Sequence, residues 1–359
     1  MLIGSVVTKT EKRYEVKYTY LQRRRPMKLK HSIMFTVNLI TVFLILNSLG
    51  AEPLRIPYVS ISGFQWPLWI GEKAGIFGKN QLDAQLIYIP GGSLIVQTMV
   101  SGETGIASLS PTSAITAWGN GANLVLVAGG IERVLNVLMV SPKIKRPEDL
   151  KGKKIGISRF GSLSDWSLRE ALRLHKLRAN QDVTLVQMGG LGERMAGLTA
   201  GIVDGAMLNV DQEYQVEKLG FHALIDIRKL PFGFPTQGIV TSREFLRTKR
   251  DAAKRFLKVY IEGIKILKTD KEFAMTTLSR YLKTNDREIL LKTYDVYREA
   301  FESVPYVRRE GVIQAIGTMP ELTVKNPSLN PDQLIDNSMI RELEKEGFFK
   351  ELYLDSLRK

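Results

Sequence analysis

The sequence predicts an α/β protein of two lobes, each a mainly parallel sheet flanked by helices, joined by two hinge crossovers. Three observations carry this. From Leu54 to Ser242 short apolar runs alternate with helical patterns, the arrangement that builds parallel sheets with helices on their faces. Two strand-like runs, "NVLMVS" (136–141) and "GIVTS" (238–242), lack a helix partner and bracket a further α/β stretch. The chain is therefore expected to leave one lobe at the first and return at the second. Beyond Ser242 the pattern is helical.

In chain order, "LRIPYVS" leads to the helical "WPLWIGEKAG", "LDAQLIYIP" to "SLIVQTMVSG", and "TGIASLS" to "TSAITAWGNG". "NLVLVAGG", "NVLMVSP" and "KKIGIS" follow as strands, then a helix from about Leu163 to Leu177. The strand "VTLVQM", a helix around "ERMAGLTAG", the strand "VDGAMLN", a helix around "QEYQVEKLG" and the strands "FHALIDI" and "GIVTS" complete the α/β part. Three long helical patterns come next. A last helix is expected over "PDQLIDNSMIRELEKEG", with Pro331 and Asp332 in its first turn as a start signal. The expected division is 52–139 plus 241–359 for lobe I with its C-terminal helices, and 140–240 for lobe II.

Of the 359 residues, 44% are hydrophobic and 25% charged, ordinary values for a globular chain with a large core. There is no cysteine, which excludes disulfides, thiolate metal sites and cysteine nucleophiles. "MKLKH" (27–31), the apolar "SIMFTVNLITVFLIL" and the small residues Gly50 and Ala51 read as a secretion signal over 27–51. Export to a bacterial periplasm is expected; left uncleaved, the segment would anchor the chain to the membrane. Residues 1–26 are polar and basic, precede a complete signal, and read as an extension ahead of the natural start at Met27. The formal net charge of +14 shrinks accordingly. Residues 1–50 hold nine Lys/Arg and two acids, leaving 42 basic against 35 acidic residues. That surplus biases the surface toward anions without pointing to nucleic acid, and basic runs such as "REFLRTKRDAAKRFLK" have the spacing of a solvated helix face.

Catalytic motifs fail one by one. "GISRFGSL" (156–163) has the glycine spacing of a phosphate loop, but Ser162 and Leu163 stand where Lys and Ser/Thr belong. As a nucleophile elbow, "GISRF" puts Phe160 at the closing glycine. Past the signal only His175 and His222 could complete a triad: His175 shares a helical stripe with Leu168, Ala171 and Leu172 and reads as packed, and His222 reads as a strand residue. No metal-ligand cluster occurs, and no cofactor is implied.

What remains is a helix start. Ser162 with Asp165 three residues on is a capping signal. Gly161 allows close backbone approach, and free N–H groups of a first turn favour anions. Ser162 either caps its own helix or serves a ligand. The motif recurs: "YIPGGSLIVQ" (88–97) is a strand, then Gly91, Gly92 and Ser93, then an apolar helix with no acid in its first turn. Two such ends at the carboxyl ends of strands, one per lobe, would clamp a small anion. Arg159 adds donors or pairs with Asp165. Phe64 and Trp66 in "SGFQWPLW" (62–69) cover a ligand's apolar part or fill the core. Ser108, Ser110 and Thr112 in "SLSPTSA", and Asn209 and Asp211 in "LNVDQ", are caps or ligand contacts.

"WPLWIGEKAGIFGKNQLDAQL", "RPEDLKGKKIGIS", "LTAGIVDGAML" and "LNPDQLIDNSMIRELEKEGF" together resemble, in the right order and from Leu54 to Gly347, the periplasmic substrate-binding proteins of ABC importers. The group is the one that includes sulfonate, taurine, nitrate and thiamine-precursor binders. The resemblance implies a type II periplasmic-binding-protein fold that closes on its ligand like a hinged trap. It implies ligand contacts from Gly63, Phe64 and Trp66, from Gly92 and Ser93, from Ser108 and Ser110, and from Arg159, Gly161 and Ser162. It also implies a monomer that delivers a small-molecule ligand to a membrane permease. Thiamine-precursor synthases of the group carry a cysteine-rich motif absent here. The expected function is capture of a small anionic organic solute; the alternatives are an enzyme on the same fold, such as a thiamine- or menaquinone-precursor synthase or lyase, and a ligand-sensing receptor.

Overall fold

The computed structural model describes residues 52–229, 233–319, 322 and 329–354; the stretches read as an N-terminal extension and a secretion signal lie outside the described residues. Ten strands are described: β1 (Leu54–Tyr58), β2 (Ala84–Tyr88), β3 (Ile106–Leu109), β4 (Leu124–Ile131), β5 (Asn136–Val140), β6 (Lys154–Ile157), β7 (Thr184–Gln187), β8 (Gly205–Asn209), β9 (His222–Ile225) and β10 (Gln237–Ser242). They form two five-stranded sheets, in the orders β2-β1-β3-β10-β4 and β7-β6-β8-β5-β9.

The two sheets share one plan. Four strands of each run the same way, and the fifth lies antiparallel between two of them: β10 between β3 and β4, β5 between β8 and β9. Each inserted strand is the first one after a crossover, so the lobes are interlocked by chain exchange. The runs that lacked helix partners, "NVLMVS" and "GIVTS", are these two strands. The crossovers are bonded to each other: Phe234 N donates to Glu132 O (2.9 Å) and Thr236 N to Ile131 O (2.8 Å). Trp166 of lobe II stacks on Phe234 with ring centroids 3.7 Å apart, and its Nε1 donates to Thr318 Oγ1 (2.9 Å).

The helices described are α1 (Trp66–Lys73), α2 (Ile76–Lys79), α3 (Gly92–Val100), α4 (Pro111–Gly119), α5 (Leu163–Leu174), α6 (Leu191–Thr199), α7 (Val210–Glu217), α8 (Arg243–Thr269), α9 (Lys271–Leu282), α10 (Arg287–Ala300), α11 (Arg309–Gly317), α12 (Ser338–Lys345) and α13 (Phe348–Leu354). The 27-residue α8 breaks its helical geometry at Lys249 and buries Phe256, Leu257, Tyr260, Ile261, Ile264 and Leu267, the three-to-four spacing of an apolar stripe. It lies directly on α1, because a Cβ on Gly263 would collide with the Pro67 carbonyl. Among the described residues no helix is long and apolar enough to cross a membrane.

The expected last helix is broken. Residues 331–333 form a single turn capped by Asn330, whose Oδ1 accepts from Asp332 N (3.0 Å). The chain then runs extended along β4: Leu126 N donates to Leu334 O (2.7 Å), Asp336 N to Leu126 O (2.9 Å), and Ile335 pairs with Leu126. Asp336 Oδ1 then accepts from Ser338 N (2.9 Å) at the start of α12. The reason is the sheet edge. β4 is an outer strand yet buried throughout, and its unpaired backbone groups recruit 334–336 as cover. His175 also departs from expectation: it is exposed, as the C-cap of α5, rather than packed.

Candidate functional site

The carboxyl ends of six parallel strands, three from each sheet, border one cavity of about 50 Å³ between the lobes. Ser60 follows β1, Gly91 follows β2 and Ser110 follows β3; opposite them stand Ser158 after β6, Gly190 after β7 and Asn209 closing β8. Open α/β sheets bind ligands at this edge because strand carbonyls end there and helix N-termini begin.

The lining is made of helix starts. Gly91 is the N-cap of α3, Ser110 of α4, Ser162 of α5, Gly190 of α6 and Asn209 of α7, and all five line the cavity. No side chain caps α3 or α6, so their first-turn N–H groups remain available to a ligand. Gly91 sits at φ +99°, where a side chain would be strained, and a Cβ there would come within 2.7 Å of Arg159 Cγ. The glycine thus allows the turn and lets Arg159 of the other lobe approach.

One charged group lines the cavity, the guanidinium of Arg194 on α6. It is 5% exposed. Its Nε donates to Gly190 O (3.3 Å) and its Nη1 to Met207 O, so two backbone carbonyls hold it in place. Among the described residues no carboxylate pairs with it; Tyr88 and Glu193 act on it only through space, and burial pulls its pKa down to about 10. The group stays cationic at neutral pH. A buried, hydrogen-bonded cation without a counter-ion among the described residues, ringed by positive helix ends and with no acid in the lining, favours negative charge beside it.

The sequence-predicted residues divide into three groups. Gly92, Ser110, Ser162 and Asn209 line the cavity. Ser162 also caps its own helix: its Oγ accepts from Asp165 N (3.5 Å), donates to Arg159 O (2.7 Å) and bonds to Ser158 and Ser164. Asn209 Oδ1 accepts from Asn136 Nδ2 (2.7 Å), which leaves its own amide donors for the cavity. Ser93, Arg159 and Gly161 lie where the lobes meet. Ser93 Oγ donates to Phe160 O (3.0 Å), and Ser113 Oγ donates to Gly161 O (3.2 Å). Arg159 does not pair with Asp165, whose oxygens take Arg169 Nε and Gly161 N, both at 2.8 Å; its own Nε is buried without a partner.

The third group lies in the lobe I core. Phe64 packs edge-on against Tyr297, and Trp66 against Tyr294 and Tyr297, with its Nε1 donating to Ala274 O (2.8 Å). Gly63 leaves room for the Tyr297 ring. Ser108 is wholly buried between Gln237 Nε2 (2.6 Å) and Gln65 Oε1 (2.8 Å). These four do not line the cavity, so the aromatic pair offers no surface there to a ligand ring.

Sequence reasoning missed Arg194, Ser60, Ser113, Asn136 and the Gly190 turn. "QMGGLGERMAG" carries the same strand, Gly-Gly, helix signal as "YIPGGSLIVQ" and would have marked α6. Nothing in the sequence sets Arg194 apart from a solvated helix arginine.

A model of the family described as NMT1/THI5 like matches residues 65–274. The chain belongs to the NMT1/THI5-like family. No curated protein matches the sequence. Solved structures that share the fold of this NMT1/THI5-like chain include the following three. One, from Bordetella bronchiseptica RB50, superposes with a TM-score of 0.73 at 19% identity, covering 82% of this chain and 98% of its own. The alkanesulfonate-binding protein SsuA of Xanthomonas axonopodis pv. citri, bound to MOPS, gives 0.67 at 16% identity, covering 80% and 99%. The periplasmic nitrate-binding protein NrtA of Synechocystis PCC 6803 gives 0.65 at 13% identity, covering 82% and 89%. The architecture is the two-lobed periplasmic-binding-protein fold.

Proposed function

We propose that this chain is the solute-binding component of an ABC importer, exported to the periplasm, which captures a small anionic organic solute between its lobes and presents it to a membrane permease. The observation that carries this is the cavity lining: five helix starts and the unpaired guanidinium of Arg194, with no carboxylate. Similarity of fold to proteins described as alkanesulfonate-binding and nitrate-binding supports an oxyanion. The cavity has room for roughly four water-sized groups, at about 10–15 Å³ each, which suits the charged head of such a solute with both lobes in contact around it.

Arg159, Gly161, Ser93 and Ser113 are assigned to the closed lips, and Gly92, Ser110, Ser162, Asn209 and Arg194 to the ligand. Native mass spectrometry, followed by a thermal-shift screen against sulfonates, nitrate, carboxylates, pyrimidines and flavins, tests the reading. One anion bound per chain and recovered unchanged is expected. A stabilising compound recovered chemically altered, or stabilisation by cations alone, would overturn it.

A further inference from the structure

The first crossover carries a carboxyl group that the ligand site does not use. Glu132 directly follows β4, and both of its side-chain oxygens are buried without a hydrogen-bond partner among the described residues. They press against backbone: a Cβ on Gly129 would lie 3.0 Å from Oε1, and one on Gly311 would lie 2.9 Å from Oε2. The residue's own carbonyl accepts from Phe234 N of the second crossover (2.9 Å), so Glu132 belongs to both strands of the hinge. An ionised carboxylate in this position would lack every donor that water supplies. Packing here therefore favours the neutral acid over the carboxylate.

The surroundings agree. From α8 comes Tyr260, whose phenol is buried and likewise unpartnered. The segment between α10 and α11 supplies Arg308 and Glu302, which pair with each other at 2.9 Å. On α11, Gly311 is preceded by Glu310 and by Arg309, which pairs with Asp332. The second crossover contributes Phe234 and Pro235, which carry no charge. Arg133, next in the chain, pairs with Glu299 at 3.0 Å. Arg308 alone pulls toward ionisation, Glu302 opposes it, and burial dominates, pushing Glu132 up to about 7.

We propose that Glu132 is a proton-operated catch on the hinge: the protonated acid lets the crossovers pack with the lobes in contact, and ionisation drives the side chain out to water and the lobes apart. Hinges act through a few residues that absorb the torsional change, and Glu132 stands where the two crossovers are bonded together. The closed form binds the proton more tightly than a form with the carboxyl exposed at its ordinary value of 4.5. Closure is thus favoured at low pH, weakens as pH rises above about 4.5, and levels off beyond about 7. These two values bound the change in the closure equilibrium at about 300-fold. The inference rests on the closing motion of the proposed function but not on the identity of the solute.

The absence of cysteine allows clean spin labelling. Val100→Cys in lobe I and Ile202→Cys in lobe II place labels at exposed positions, 62% and 63% accessible. Distances are measured in the full chain without ligand from pH 5 to pH 9. The expected result is a shift from short to long distances as pH rises, retained in Asp211→Asn, which removes a second buried carboxyl held between the lobes, and abolished when Glu132→Gln is added to Asp211→Asn, which leaves the short distance at every pH. Should the glutamine variant fail to fold, Glu132→Met, which carries no charge at any pH, serves the same purpose. An Asp211→Asn chain indifferent to pH, or a pH response surviving when Glu132 is also replaced, overturns the proposal. Addition of methanesulfonate or nitrate at pH 8 separates the two readings. Closure by the anion without a pH response refutes the catch alone, and no closure by either refutes the motion as well.

Discussion

Arg194 is the residue on which the site turns. Its burial is compensated by two carbonyls and no acid, an arrangement that becomes favourable when an anion completes it. Arg194→Met is expected to weaken binding of the stabilising anion by about 10- to 100-fold, the range for losing a hydrogen bond to a charged group, with Arg194→Lys in between; isothermal calorimetry reads the difference. Ser93 and Ser113 each bind a carbonyl of the opposite lobe, so each stabilises only the closed form. Ser93→Ala and Ser113→Ala should each weaken binding roughly 2- to 10-fold, at ~0.5–1.5 kcal/mol per hydrogen bond, and at alkaline pH, where the ligand-free lobes are expected apart, leave the melting temperature of the ligand-free chain unchanged. A drop in that temperature would show that the bonds serve the fold instead.

Among the elements, the contact of α1 with α8 shows how the lobe I core is built. It rests on glycine at 263, where the Pro67 carbonyl occupies the space of a side chain, and on Gly71, where a Cβ would come within 2.7 Å of Val259 Cγ1. Gly263→Ala should destabilise by ~1–3 kcal/mol, as overpacking does, and lower the melting temperature by several degrees. Gly78→Ala on α2 meets nothing within 4 Å and should be neutral or slightly stabilising, since alanine is the better helix former. The α3 and α5 starts were legible because Gly-Gly-Ser and Gly-Ser after a strand have few other uses. The α12 start was not: "PDQLIDNSMIRELEKEG" satisfies every local rule for one helix, and only the exposed edge of β4 draws its middle into an extended pairing.

At the scale of the whole molecule, a second acid joins the lobes. Asp211, at the start of α7 in lobe II, accepts from Tyr297 Oη of lobe I (3.2 Å) and from Gln212 Nε2 (2.8 Å), and Gln212 Nε2 reaches Ile61 O (3.4 Å). Burial raises the carboxyl from 3.8 to about 6 despite these donors. The folded chain therefore binds this proton more tightly than the unfolded chain. Its contribution to stability is largest below about pH 4 and is lost as pH rises through about 6. Denaturant titrations from pH 4 to pH 7.5 should show a fall of roughly 2–3 kcal/mol from this group, at ~1.4 kcal/mol per tenfold change. Asp211→Asn should lose that part of the fall and keep the part that the raised Glu132 carboxyl contributes over the same range. An equal decline in the variant would assign the proton elsewhere.

By itself the sequence determined the α/β class, the two lobes, the two exchanged strands and a pair of helix starts that line the cavity. All of these follow from periodicity, turn chemistry and the spacing of glycines along the chain. It determined equally that thiol chemistry is impossible, because no cysteine exists. The tertiary structure alone decided which polar residues share a surface. Arg194 and Arg169 look alike on their helices, yet one lies under Met207 of the neighbouring strand and faces the cavity, while the other pairs with Asp165 at 2.8 Å. Phe64 and Trp66 are close in sequence to the predicted cleft, but α10 brings Tyr294 and Tyr297 against them and claims them for the core. Glu132 reads as an unremarkable acid after a strand until Gly129, Gly311 and the second crossover close around it. Local patterns set where elements begin and which way they face, whereas burial and charge pairing depend on which distant elements come to lie alongside.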